Sequence, residues 1–171
     1  MLLALILFFP VHSHASETLS IAVVNVDKLL SESKAGKSIQ KQHAQRREVF
    51  QKEFSKLEEK LITAEKELVK DKGNSEPEAF NKKRQDFEKE FMQTRQLFQK
   101  RRSSLEKSLN EAFVTLRKTI IQTTAEIADE KKYNLVLTRE SVVIVEKTID
   151  ITEQVLERMD RNVTSIPLGV E

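Results

Sequence analysis

The apolar positions of this chain follow two rhythms. Near the start, Ile21-Ala-Val-Val-Asn-Val26 is a solid, largely β-branched run bounded by Ser20 and Asp27. That is the pattern of a buried strand. Asp27 to Ser33 reads as a short helical turn, and Gly36 as a break. From about Lys37 to Lys72 the rhythm changes. Phe50, Phe54, Leu57, Leu61, Ala64 and Leu68 are spaced 4, 3, 4, 3 and 4, which is a heptad seam. Nearly everything between them is charged or Gln.

Lys72-Gly-Asn-Ser-Glu-Pro77 interrupts the seam. Gly73 can close one helix, Ser75 can cap the next, and Pro77 suits a first helical turn. The helical rhythm resumes at Glu78 and runs to about Lys131 through Phe80, Phe87, Phe91, Phe98, Leu105, Leu109, Ala112, Leu116, Ile120 and Ile127. At ~1.5 Å per residue the helices would be roughly 50 Å and 80 Å long. A short turn between two long helices makes them antiparallel neighbours.

The second helix outlasts the first, and its excess needs a packing partner. Tyr133–Thr138 and Val142–Val145 are the strand candidates, joined by a short hairpin connection at Arg139-Glu-Ser141. Asp150 or Thr152 caps a last helix, Glu153–Arg161, with Val155, Leu156 and Met159 on one face. The polar tail from Asn162 is expected to fray.

The expected fold class is therefore α+β, mostly α: a long antiparallel, coiled-coil-like hairpin projecting from a small β-sheet body. The arm covers 37–111 with its tip at 73–77, the body 16–36 and 112–163, and the tail 164–171. A body this small supplies little stability alone. A protomer–protomer interface through its strands is the physical expectation, using Ile21, Val23, Val24, Leu135, Val136, Leu137, Val143 and Val145.

Composition sharpens the picture. Only three Gly and three Pro occur in 171 residues, 33% of the chain is charged and 39% hydrophobic. Such a chain does not bury one large compact core and favours an elongated or oligomeric form. No cysteine is present, which excludes disulfides, thiol catalysis and thiolate zinc sites. Leu2–Phe9 is an unbroken apolar run, ended by Pro10 and followed by the small-x-small pattern Ser13-His-Ala15. Residues 1–15 read as a signal peptide.

Candidate chemistry is sparse. Ala35-Gly-Lys-Ser38 ends like a phosphate-binding loop, but the position five residues before Gly36 is Ser31, not Gly. Outside the leader, His43 stands alone. Acidic pairs such as Glu58-Glu59 sit amid Lys and Arg and read as solvated faces. The chain is expected to be no enzyme and to need no cofactor or metal.

The hairpin carries two features that suit binding. Of seven Phe beyond the leader, Phe50, Phe54, Phe80, Phe87, Phe91 and Phe98 lie on its outer part. A two-helix arm has no third layer, so bulky residues there keep open faces. Half-covering one Phe by a partner is worth about 1–2 kcal/mol. Phe54, Phe87 and Phe91 are the ones expected to pack helix on helix. Charge is also divided. Lys37–Asn110 carries 19 Lys and Arg against 13 Asp and Glu, and the rest 10 against 14. A basic arm on an acidic body steers anionic partners. Lys100, Arg101 and Arg102 form the densest basic patch. The candidate binding residues are Phe50, Phe80, Phe98, Lys100, Arg101 and Arg102.

A leader, the strand Ile21–Val26, a charged hairpin, Asn134-Leu-Val-Leu137 and Asp150-Ile-Thr152 opening a last helix: this succession resembles the Skp/OmpH family of periplasmic chaperones, from about Leu19 to Arg161. The resemblance implies a homotrimer assembled through the body. Its three arms would surround a cavity in which unfolded outer-membrane β-barrel proteins are held without ATP in the periplasm. It also implies contact with anionic lipid or lipopolysaccharide, although no residue of the arm can be matched to that role. The alternative is a coiled-coil structural adaptor of the cell envelope. Nucleic acid is not expected as a partner, because acids interleave the bases along the arm and the leader directs the chain out of the cytoplasm.

Overall fold

The structure, a computed structural model, describes residues 19–169. The expected signal peptide, 1–15, lies outside the described residues. The element order is strand β1 (Ile21–Val24), helix α1 (Val26–Glu32), helix α2 (Lys34–Asp71), helix α3 (Pro77–Lys131), strand β2 (Leu135–Thr138) and helix α4 (Thr152–Asn162). Helices α2 and α3, of 38 and 55 residues, form the expected antiparallel hairpin. The fold is the α+β, mostly helical architecture the pattern predicts.

The break before the hairpin sits at Ser33 rather than Gly36. Ser33 ends α1 and begins α2, and its Oγ accepts a hydrogen bond from the Gly36 N–H at 3.1 Å. Gly36 lies inside the first turn of α2, tight against α1: a Cβ built there would stand 2.0 Å from the Leu30 carbonyl oxygen. Glycine is required by that close approach, not by a turn.

At the tip, Gly73 takes a left-handed φ of 93° just after the α2 C-cap, and the Asn74 N–H donates to the Asp71 carbonyl at 3.1 Å. Only a residue without Cβ adopts this φ freely. Pro77 opens α3 as expected. The N-cap is Glu76 and makes no side-chain cap bond, so Ser75 does not serve as the cap.

The sheet differs from the expected hairpin of Tyr133–Thr138 with Val142–Val145. β1 and β2 pair in parallel, with Ile21 opposite Leu135 and Val24 opposite Thr138. The hairpin is thus the crossover connection that parallel strands require. Val142–Val145 is not a strand. A 3₁₀ turn at Arg139–Ser141 diverts the chain, and Val143 and Ile144 are 94% and 87% exposed. The other edge of β1 is already taken, because the Ile151 N–H donates to the Val23 carbonyl at 2.9 Å. The outer edge of β2 stays open, but the 3₁₀ turn leads Val142–Val145 off it, and β-propensity without a paired partner strand produces no strand.

The core lies where the hairpin enters the body. Leu29, Ile39, Leu116, Ile120, Ile151 and Met159 are fully buried there. Asp150 orients the last helix: its carboxylate accepts from the Thr152 N–H at 2.9 Å, and Thr152 Oγ1 accepts from the Asn25 N–H at 2.9 Å. The tail does not fray. Ile166 and Leu168 are buried in the core cluster, and Gln42 and Arg46 hold their carbonyls. The polar appearance of the tail misleads because its few apolar residues alternate toward one side.

Replacing Gly36 by Ala is expected to destabilise the protein by about 1–3 kcal/mol through overpacking against backbone that cannot yield. The measurement is the denaturant midpoint at unchanged m-value.

Candidate functional site

The outer arm solves the packing of its seam with aromatics. Phe54 and Phe98 meet across the two helices at 4.2 Å between ring centroids, and Phe50 stacks on Phe98 at 5.3 Å. All three are half-buried. The space left among Phe50, Phe54, Leu57, Leu97 and Phe98 is about 10 Å³, at the lower limit for a single water and too small to admit a side chain. Phe50 and Phe98 therefore bolt helix to helix and present only their rims outward. Phe87 and Phe91 lie 6.3 Å apart on α3, with Phe91 exposed. Phe80 is half-buried near the tip.

The basic patch is partly engaged. Arg101 reaches across to Glu53 on α2, and Arg102 pairs with Glu106 one turn on at 3.2 Å. Lys100 is exposed and pairs with no carboxylate among the described residues. Near the tip, Lys83 binds Asp71 across the hairpin, and that hydrogen bond holds the Lys83 ammonium above its ordinary pKa. Exposed pairs of this kind contribute little stability, but they set helix register.

Apolar side chains that miss the seam stay in water. Val49, Ile62, Val69, Phe91, Met92 and Leu97 are all exposed on the arm. Of these, Phe91 is the one expected from its spacing to pack helix on helix, and it is exposed instead. For Val49, Ile62, Val69, Met92 and Leu97 the available signal was their place beside, not on, the heptad positions. Ile62 and Val69 are each the residue after a seam leucine, at Leu61 and Leu68.

The body has a second apolar surface. Along β2, the edge away from β1 is unpaired. Next to it, α3 and β2 form an open groove of about 390 Å³ lined by Val24, Ile121, Ala125, Tyr133 and Leu135. Leu135, Val143 and Ile144 are exposed, as are Val114 and Ile121 on α3. Among the expected interface residues, Val23 and Val24 are buried within the protomer, and Ile21, Val136, Leu137 and Val145 are half-buried. The structure thus separates these residues into core side chains and open ones.

Among the described residues no cluster of His, Asp or Glu could hold a metal, and no helix is long and apolar enough to cross a membrane. Two long helices, bolted by aromatics and carried on a small open-edged body, define a class: proteins with a coiled-coil arm on a small α+β base. Within that class the chain belongs to the OmpH-like outer membrane protein family, whose model matches residues 20–159. The fold is also that of a solved Caulobacter crescentus CB15 protein, described as a putative outer membrane chaperone (OmpH-like). The two share 16% identity and a TM-score of 0.83 over 96% of this chain and 97% of that one. No curated protein matches the chain.

Glu130 and Arg158 join α3 to α4 through two parallel hydrogen bonds of 2.6 Å. Hydrogen bonding to Arg158 depresses the Glu130 pKa below its ordinary 4.5. This contribution is complete above the ordinary carboxylate range and is lost as the pH falls through the depressed folded value. Hydrogen exchange in α4 is expected to quicken on acidification below that range, after correction for intrinsic rates. In Glu130→Gln the acid-dependent change should be smaller. On the arm, Phe98→Ala should destabilise the outer hairpin by about 1–3 kcal/mol, below the cost of a fully buried Phe, read as lost helical circular dichroism on heating.

Proposed function

We propose that the protein is an ATP-independent periplasmic holdase. It binds unfolded outer-membrane β-barrel proteins in a cavity between the arms of a homotrimer and prevents their aggregation. The observation that carries this reading is the row of apolar side chains left open along a basic arm: Ile62, Val69, Phe91, Met92 and Leu97. Each offers a small, sequence-tolerant contact, and several together make a multivalent grip. Met adapts to many partner shapes. Membership of the OmpH-like family, and the description of the Caulobacter protein as a putative outer membrane chaperone, support it.

The trimer is supported by the body. An unpaired strand edge beside Leu135, Val143 and Ile144 is a surface that water disfavours and another copy covers. The periplasmic location rests on the expected leader and the family. The basic excess of the arm also suits contact with anionic lipid or lipopolysaccharide. Holding is mass action: the chaperone binds the unfolded client and opposes its self-association. Release follows when membrane insertion hides the client's apolar surface.

The test dilutes a urea-unfolded β-barrel protein into buffer with the purified chain and no nucleotide. Suppressed light scattering is expected. No suppression at a several-fold molar excess, with one tight folded partner instead, would favour the envelope adaptor. Met92→Ser with Phe91→Ser should weaken suppression while helicity and native mass stay unchanged. Val143→Asp with Ile144→Asp should shift the native mass from trimer to protomer. This pair is a cleaner probe than Val136, which packs on the protomer's own core.

A further inference from the structure

The root of the hairpin carries a built groove, and the chain's own tail lies in it. Ser165–Gly169 runs outward along α2 in extended form. Gln42 holds it with both ends of its amide: Nε2 donates to the Ile166 carbonyl at 2.9 Å, and Oε1 accepts from the Leu168 N–H at 3.2 Å. Arg46 donates to the Leu168 carbonyl at 3.0 Å and to the Gly169 carbonyl at 2.6 Å. Ser38 and Ser165 share a hydrogen bond of 2.8 Å between hydroxyls. On the α3 side, Glu111 and Ser108 come close to Gly169. Ile166 and Leu168 are 7% and 3% exposed, whereas Ser165, Pro167 and Gly169 are open to solvent.

Apart from the pair of serines, every polar contact goes to backbone. The groove reads two properties only: an extended main chain, and apolar side chains at alternate positions. Transmembrane β-strands have that same alternation, with apolar side chains at every second residue. The geometry points to this groove as a binding site for an extended, alternately apolar segment of an unfolded chain, with the tail as its resident occupant. The identity of the ligand as a client rests on the holdase reading; the existence of the site does not. A tethered tail competes at an effective concentration in the millimolar range, about what short flexible linkers give. A free segment displaces it only when the same chain also grips the arm. The tail thus sets a threshold that favours long unfolded chains over short peptides.

The probe is a fluorescent peptide of residues 163–171. It is titrated into the full chain, a chain ending at Thr164, and a full-length Ile166→Ser/Leu168→Ser variant. Saturable binding, one peptide per protomer, is expected for the two loosened chains, and about tenfold or more weaker binding for the full chain, as cis competition requires. Adding Arg46→Ala to the shortened chain should weaken it again. A peptide of the same composition with its apolar residues adjacent should bind far less. Several outcomes overturn the proposal. They are no binding by loosened chains that keep their helicity, equal binding by the full chain, equal binding of the rearranged peptide, or unfolding of both loosened chains that the peptide does not reverse. The aggregation assay on the full chain is read separately. Lost suppression with intact peptide binding sinks the holdase reading alone, and the reverse sinks only the groove.

Discussion

Everything in this structure hangs on the parallel pairing of β1 with β2. The two strands are separated in sequence by the whole hairpin, yet Ile21 lies opposite Leu135. The join is locked at its start by Ser20 and Asn134: the Ser20 N–H donates to Asn134 Oδ1, and the Asn134 N–H to the Ser20 carbonyl, each at 2.8 Å. A parallel pair forces both ends of the crossover onto the same sheet. The roots of α2 and α3 must therefore meet there, and they bring Ile39 and Leu116 into one core. Closing so long a connection costs entropy only slowly with length. The long hairpin can project freely because its closure is secured at the base.

From base to tip, the supply of packing partners falls. At the root, α1, α4 and the tail add a third layer, and side chains there are buried. Beyond Arg46 only two helices remain. They can bury one seam between them, and the Phe50–Phe54–Phe98 cluster is its aromatic stretch. Apolar residues beside the seam have nothing to lie against. Their exposure follows from the geometry of two cylinders, and it is also what makes the arm useful as a binding surface.

Charges follow the same gradient. In the body, bidentate Arg158–Glu130 and the Lys28–Glu153 pair tie α4 to α3 and α1, and the Glu153 hydrogen bond raises the Lys28 pKa. On the arm most pairs run along one helix, such as Glu48 with Lys52 and Arg84 with Glu88, and neutralise locally. Arg101–Glu53 and Lys83–Asp71 are cross-helix exceptions and fix the register of the hairpin. The remaining basic excess is left for a partner.

The sequence by itself determined whatever depends on neighbours in the chain. The heptad seam set both long helices to within a few residues, Gly73 and Pro77 set the tip, and the β-branched run at Ile21 set the first strand. These are local preferences repeated over many turns, so no tertiary contact reverses them. What only the tertiary structure decided is who pairs with whom. Val142–Val145 has strand composition yet leaves the free edge of β2 unpaired, because the 3₁₀ turn at Arg139–Ser141 diverts the chain and Asp150 and Ile151 take the far edge of β1. Gly36 reads as a break, yet it is a contact point between two helices. The tail reads as polar, yet Ile166 and Leu168 find a groove whose walls come from residues far away in sequence. The candidate site divides the same way. Its aromatic and basic composition was legible, but which Phe is bolt and which is surface depends on the rotation of one helix against the other.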